Sequence, residues 1–367
     1  MATENKFMGW CALGEDSIEG KFKWQEYEPK PFADDDVEIK IQYCGICASD
    51  LHTASGGWGK VDYPQVVGHE IVGEAVRVGK DVKHVKVGDI VGVGAQNDSC
   101  LECDYCKADR EQYCEKGQVG TYNGKYYRQE VAKGAKSYGG YADFHRAPGH
   151  FVVRIPDGLD LALAAPMLCG GVTVFSPLRQ YGAGGEKAKD VGIVGIGGLG
   201  HFGLLFAKAL GANVTAISHS ESKKADAEKM GATRFIATHS GKDDDFAPYK
   251  RSLDLIICTT NDKDMPLLGY LSLLRPGGNL ILVGAPEKPF PPVPAFPFIM
   301  GNVHLGGSAI GSPKMINEML ELASKQDIKP WVTKRPLEDA NQAVVDMHNS
   351  KARYRYVLVN QKNGGKL

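Results

Sequence analysis

No run of apolar residues approaches the roughly 18 that cross a bilayer, so a membrane-spanning helix is not expected. Net charge of either sign is also missing: 43 basic residues face 44 acidic ones, leaving −1. That excludes a global basic field for nucleic acid or acidic membranes. The start, Met1-Ala2-Thr3-Glu4-Asn5-Lys6, lacks the apolar core of a secretory signal, which points to the cytoplasm. There is no internal repeat and no low-complexity segment. Charged residues make up 24% against 43% hydrophobic, a balance that excludes wholesale disorder. At about 150 residues per domain, a chain of 367 suggests two domains.

Two residue types are plentiful. The 45 glycines, about 12%, exceed the usual ~7%. The nine cysteines are odd in number, and four fall within fifteen residues. Without a secretory signal, such a cluster reads as metal ligands before disulfides.

Short strand-like runs at 37–43, 70–78 and 89–93, separated by Gly/Asp turns, predict an irregular all-β or barrel-like first domain. Periodicity fades between residues 100 and 140, which reads as a metal-tied lobe followed by a loop. From about residue 165 the pattern becomes strand, helix, strand. Strands are expected at 190–196, 213–217, 234–237, 253–258, 279–283 and 303–307. Helices are expected from Leu199 to Leu210, over 222–230 and over 313–324. This rhythm predicts a parallel sheet with right-handed crossovers. Six prolines between residues 286 and 297 mark a surface loop, a pocket lip or a subunit contact. The last strand, 354–359, is expected to return to the first domain.

Gly195-Ile196-Gly197-Gly198-Leu199-Gly200 follows an apolar strand and opens a helix. Glycine there permits a tight turn and close approach of backbone to a pyrophosphate at the helix N-terminus. An NAD site usually has Asp or Glu about 20 residues on, to hold the ribose 2′-hydroxyl. This chain has Ser218-His219-Ser220-Glu221-Ser222-Lys223, with no carboxylate at the strand end. Hydroxyls from Ser218 and Ser220, His219 and the Lys223 cation suit a 2′-phosphate, so NADP is expected.

Cys100, Cys103, Cys106 and Cys114 have the spacing C-x2-C-x2-C-x7-C. Four thiolates suit a closed tetrahedral zinc site, which stabilises and does not catalyse. An iron–sulfur cluster or a disulfide pair are the alternatives. A second set is dispersed: Cys47, His69 beside Glu70, and Cys169. Two thiolates and an imidazole would leave zinc one open position, with Glu70 taking that place or acting from behind the ligands. Spacing alone does not bring these residues together.

With these pieces in view, the chain resembles the medium-chain zinc-dependent alcohol dehydrogenases, within them the NADP-dependent cinnamyl alcohol dehydrogenases and broad-specificity aldehyde reductases. The match rests on Cys44-Gly-Ile-Cys47-Ala-Ser49-Asp50-Leu-His52, Gly68-His69-Glu70-Ile-Val-Gly73, the four-cysteine lobe, Cys169-Gly-Gly-Val-Thr173 and the glycine loop with its sequel. The order and spacing of these pieces fit from about residue 7 to 360. The resemblance implies an α/β fold. A GroES-like irregular β-barrel catalytic domain would span 1–165 and 309–367, with a structural-zinc lobe at about 97–116. A Rossmann doubly wound parallel-sheet cofactor domain would span 166–308.

It further implies two zinc ions per chain, one of them catalytic on Cys47, His69 and Cys169, with Glu70 as an exchangeable ligand. Ser49, Asp50 and His52 would form a proton path. Thr173, Thr259, Gly284, Ser308, Ala309 and Ile310 would lie near the cofactor, and Trp58 and Phe298 would line the substrate pocket. The expected activity interconverts primary aromatic, cinnamyl-type or medium-chain aliphatic alcohols and aldehydes with NADP(H), favouring reduction, in a homodimer. Two departures stand out. Position 48 is Ala where relatives often carry His or Gly, and Ala309 replaces a bulky aromatic, which weakens a lignin-type substrate. The 117–140 stretch is long, and its role is unassigned. Rival readings are an NAD-dependent zinc polyol dehydrogenase, which predicts a carboxylate at 218; a zinc-free quinone reductase, which lacks the cysteine sets; and a non-catalytic zinc and NADPH-binding factor.

Overall fold

The computed structural model describes residues 5–239, 243–289 and 292–367. The chain divides into two compact units, Met1–Cys169 with Gly311–Leu367, and Gly170–Ile310.

The first unit is built on strand Asp36–Ile46. It pairs antiparallel with Ile71–Val78, Phe144–Pro148 and Arg355–Val359. Ile90–Val93 and Val153–Arg154 extend one side; Val332–Pro336 lies parallel to Arg355–Val359 on the other. Val37, Ile39, Ile41 and Ile46 are at most 1% exposed, each worth about 1.5–3 kcal/mol of burial. The last strand does return to this sheet, where Leu358 pairs with Cys44. Helix Pro313–Lys325 starts on a Ser312 cap that accepts from Met315 N–H, with proline at the first turn. Ile316, Met319, Leu320 and Ala323 form its buried stripe.

One helix has no clear signal in the sequence. Ala340–His348 buries only Ala340, Ala343 and Val344, small residues that make a weak stripe. The 117–140 stretch is also more ordered than a loop. It contains strand Val119–Gly120 and a short 3₁₀ turn, Glu130–Ala132, and its Val119, Tyr126 and Ala132 form a small core of their own.

The second unit carries six parallel strands in the order Arg234–Ala237, Asn213–Ser218, Asp190–Val194, Leu253–Cys258, Leu274–Leu282, His304–Gly307. In order of appearance this is 3-2-1-4-5-6, the doubly wound arrangement. Its ligand crevice lies beyond the carboxyl ends of the first and fourth strands, where the order reverses. The loop after Val194 and Thr259 after Cys258 occupy that point. Leu255, Ile256 and Ile257 are fully buried in the centre of the sheet. The helix expected over 222–230 begins as a 3₁₀ turn, Glu221–Lys223, before helix Lys224–Lys229. Of the proline-rich stretch, residues 290 and 291 lie outside the described residues; the chain then enters helix Phe296–Gly301.

Residues Leu161–Gln180 form a 20-residue helical run of mean hydropathy 1.7, long and apolar enough to cross a membrane. No such span is expected from sequence, because Gly170, Gly171, Thr173, Ser176 and two prolines interrupt the apolar run. Of its most apolar window, 89% is buried inside the protein, which makes it a core helix.

Candidate functional site

Four dispersed residues converge in the first unit. Cys47 follows strand Asp36–Ile46 and caps helix Ala48–Ala54. His69 and Glu70 lead directly into strand Ile71–Val78. Cys169 sits in a π-helical turn, Met167–Gly171, a distortion often found at functional sites. One ligand atom from each of Cys47, His69, Glu70 and Cys169 lies within 4.8 Å of the others, and all four residues are buried. His69 Nε2 is 3.0 Å from Cys169 Sγ. The hydrogen bond from Cys169 holds the Cys47 thiol well below its usual pKa. The same bond, with burial, holds Cys169 well above. Two soft donors and one imidazole at this separation fit zinc. Glu70 Oε2 is buried with no hydrogen-bond partner among the described residues, as a carboxylate reserved for a cation would be.

Ser49 and Asp50 take different places around this set. Ser49 is half-buried, and its Oγ lies 3.5 Å from Cys47 Sγ, at the edge of the set. The resemblance places Asp50 on a proton path, but its carboxylate is 1% exposed and turned inward. Oδ1 is 2.8 Å from His69 Nδ1 and 3.1 Å from Gly68 N. Oδ2 accepts from Cys47 N–H at 2.8 Å and from the Tyr141 hydroxyl at 2.9 Å. A carboxylate so surrounded by donors orients His69 and fixes its tautomer. His52, toward the far end of the same short helix, stacks on Trp58 with centroids 4.9 Å apart. Trp58 is 45% exposed.

Arg355 was missed from sequence, 285 positions away from Glu70. It is fully buried and pairs with Glu70 Oε1. Burial pushes the Glu70 carboxyl up to about 8, and Arg355 opposes that rise. Gly45 was also missed. A Cβ there would meet Glu70 Oε2 at 1.9 Å, so the carboxylate needs a residue without a side chain opposite it. An arginine at the head of an apolar C-terminal strand was the only sequence signal for Arg355.

The second ligand set is local. Cys100, Cys103, Cys106 and Cys114 also place their sulfurs within 4.8 Å of one another. Cys100 and Cys106 Sγ are 3.9 Å apart, close to the edge of about 3.8 Å set by a tetrahedron with 2.3 Å zinc–sulfur bonds. Backbone N–H groups of Glu102 and Cys103 donate to Cys100 Sγ, and that of Cys100 donates to Cys114 Sγ. Amides of Cys106 and Glu115 pull the Cys103 thiol down to about 6, toward the thiolate a metal needs. No fifth donor joins this set among the described residues, so it is a closed site.

In the second unit the glycine loop has the shape its sequence predicts. Helix Gly200–Ala209 opens at the loop's last glycine. A Cβ on Gly200 would meet Gly195 O at 1.8 Å, while one on Gly197 would meet nothing within 4 Å. Gly197 therefore exposes open backbone around Ile196, Gly198 and Leu199, the cradle a pyrophosphate requires. Thr259 Oγ1 donates between Val194 O and Gly195 O, both at 2.8 Å, and ties the loop to the neighbouring strand. Lys223 Nζ donates to Ile196 O at 2.6 Å, which sets its charge beside the loop. Ser218 ends its strand 7% exposed, and Ser220 bonds Ser222 at 2.9 Å in the turn that follows. His219 follows the strand end directly. Hydroxyls and a lysine fit a 2′-phosphate, and the position after the strand bears no carboxylate.

The remaining expected residues are more scattered. Thr173 is buried in helix Val172–Gln180. A Cβ on Gly284 would meet Thr260 O at 2.4 Å. Ser308 N–H donates to Leu282 O at 3.0 Å, Ala309 is exposed, and Ile310 adopts a positive φ of 31°. Phe298 is half-buried and packs against the apolar core of the sheet.

Comparison with known proteins adds independent findings. Residues 33–157 match a family model described as alcohol dehydrogenase GroES-like domain, and residues 198–325 match one described as zinc-binding dehydrogenase. NADP-dependent alcohol dehydrogenase 6 of Saccharomyces cerevisiae is 44% identical over 92% of this chain and 92% of its own. The structure of a cinnamyl alcohol dehydrogenase from Sorghum bicolor superposes with a TM-score of 0.90 at 36% identity, covering 99% of both chains. A CAD structure from Helicobacter pylori complexed with NADP(H) superposes at 0.86 with 35% identity, over 97% of this chain and 99% of that one.

Proposed function

The chain belongs to the zinc-binding alcohol dehydrogenase family, and from that premise we propose which residues carry its chemistry and what it acts on. It is an NADP-dependent oxidoreductase that interconverts alcohols and aldehydes. Its substrates are primary aromatic, cinnamyl-type or medium-chain aliphatic alcohols and the matching aldehydes, with reduction favoured. The observation that carries this reading is the convergence of Cys47, His69 and Cys169 around a Glu70 oxygen that has no hydrogen-bond partner among the described residues. The domain limits follow the same reading, with the catalytic part at 1–165 and 309–367 and the cofactor part at 166–308.

When bound, zinc supplies Lewis-acid polarisation of the substrate oxygen and NADP(H) carries the hydride. The residues supply the rest. Cys47, His69 and Cys169 would hold the catalytic zinc, and Cys100, Cys103, Cys106 and Cys114 the structural one. Asp50 orients His69. Ser49, whose hydroxyl adjoins the ligand set, takes or returns the proton. His52 lies one helical turn further on in the same helix and carries the proton path onward. Gly195 to Gly200 orient the pyrophosphate, while Ser218, His219, Ser220 and Lys223 select the 2′-phosphate.

A steady-state panel of aldehydes with NADPH and NADH tests the reading, with a polyol and NAD⁺ as the rival pair. Benzaldehyde-like substrates with NADPH are expected to give the highest kcat/KM, and two zinc ions per chain are expected by metal analysis. Polyol oxidation with NAD⁺ as the best reaction would sink it. One zinc without turnover would favour a binding factor instead.

The assembly we favour is a homodimer. Among the described residues His304–Gly307 is an edge strand with an unpaired side, and Phe296, Ile299 and Met300, just before it in sequence, are 70%, 71% and 66% exposed. Sedimentation should show a dimer that Ile299→Asp with Met300→Asp turns into a monomer; a monomeric wild type would refute it. A cytoplasmic location fits the same reading, because six of the nine cysteines fall in the two metal sets, and a reducing compartment keeps such thiolates unoxidised.

A further inference from the structure

The 117–140 stretch reaches the open metal set through one side chain. The Tyr122 hydroxyl lies 2.9 Å from His69 Nδ1, and the two rings are 5.3 Å apart. Asp50 Oδ1 lies 2.8 Å from the same nitrogen. Asp50 alone fixes which ring nitrogen bears the proton. A single acceptor still lets the imidazole swing about that bond. A second oxygen beside Nδ1 removes the swing and keeps Nε2 aimed at the thiols.

The phenol can do this only if its own backbone is held, and it is. Gly120 pairs with Gln96 and Val119 with Asp98 in a two-stranded antiparallel ribbon. Thr121 N–H donates to Ala95 O at 3.0 Å, and its hydroxyl reaches Gly94 O. One strand of the ribbon runs on into Cys100, and the other begins soon after Cys114, so the four-cysteine lobe closes its end. Five residues past Tyr122, the Tyr127 hydroxyl donates to Gly117 O at 2.7 Å and sits 3.7 Å from Cys114 Sγ.

We propose that Tyr122 is a positioning residue for His69, held in place by the ribbon that the four-cysteine lobe closes. This rests on the reading that Cys47, His69 and Cys169 hold a metal ion. The long 117–140 stretch then has a purpose, which is to deliver one hydroxyl behind a ligand of the open site.

Tyr122→Phe removes that hydroxyl and little else. In the holoenzyme the variant should fold, keep the ion of the closed site, and bind the open-site ion about 10-fold to 100-fold more weakly in competition with a chelator. With cobalt in the open site, its visible absorption bands should shift, because the imidazole no longer holds one angle. Tyr138→Phe, in the same stretch but packed on Tyr27 and away from both cysteine sets, should leave those bands unchanged. Wild-type chelator resistance and wild-type cobalt bands in Tyr122→Phe would overturn the inference, while loss of metal from Cys47→Ser would leave the metal reading standing. If Cys47→Ser loses no metal, the metal reading itself falls, and the inference with it. Band shifts of equal size in Tyr138→Phe would also overturn it, since the effect would then belong to the loop and not to the hydroxyl.

Discussion

Cys47→Ser is expected to abolish turnover while leaving a folded protein with one metal ion per chain. Cys47 is 6% exposed, and serine is nearly the same size, so packing changes little. The donor changes instead, from a soft thiolate to a hydroxyl that stays protonated at neutral pH. Lewis-acid stabilisation is worth several kcal/mol. Losing about 4 kcal/mol lowers kcat/KM by about a thousandfold. The closed set is unaffected, because Cys100, Cys103, Cys106 and Cys114 share no ligand with the open one. Circular dichroism, metal analysis and steady-state rates on one preparation check all three points. Unchanged activity would refute the assignment of Cys47.

Lys223→Ala should raise KM for NADPH far more than KM for NADH. Its Nζ donates to Ile196 O, and that bond supports the glycine loop for either cofactor. Its charge, set beside the loop, matters only to a cofactor carrying a 2′-phosphate. A charge-assisted hydrogen bond contributes about 1.5–3 kcal/mol, or roughly 10-fold to 150-fold in binding. The ratio of the two effects is the readout, since loosening the loop raises both constants together. Equal rises would show that Lys223 serves the loop alone.

Local patterns were legible in the sequence wherever neighbours in the chain are neighbours in space. The glycine loop, the strand after it and the missing carboxylate at 218 lie within about 30 residues, and hydrogen bonding along the chain shapes them. The four-cysteine lobe is equally local, spanning 100 to 114. The helix at 340–348 was not legible, because alanines carry little hydrophobic pattern. Helical run 161–180 was hidden by glycines and prolines that a π-turn accommodates.

The open site divides along the same line. Residue types near 47, 69 and 169 announced metal chemistry, but only through resemblance, since nothing in their spacing brings them together. Tertiary pairing does that: strand Asp36–Ile46 lies beside Ile71–Val78 and Arg355–Val359, so Cys47, Glu70 and Arg355 come from three strands of one sheet or their ends. Sequence alone determined the cofactor class, the closed metal set and the alternation of strands and helices, because each depends on short-range spacing. The inward turn of Asp50, the Arg355 pairing with Glu70, the bare Cα of Gly45 and the reach of Tyr122 to His69 were decided by the fold. Each is a contact across the sheet or between distant loops, where sequence separation carries no information about distance.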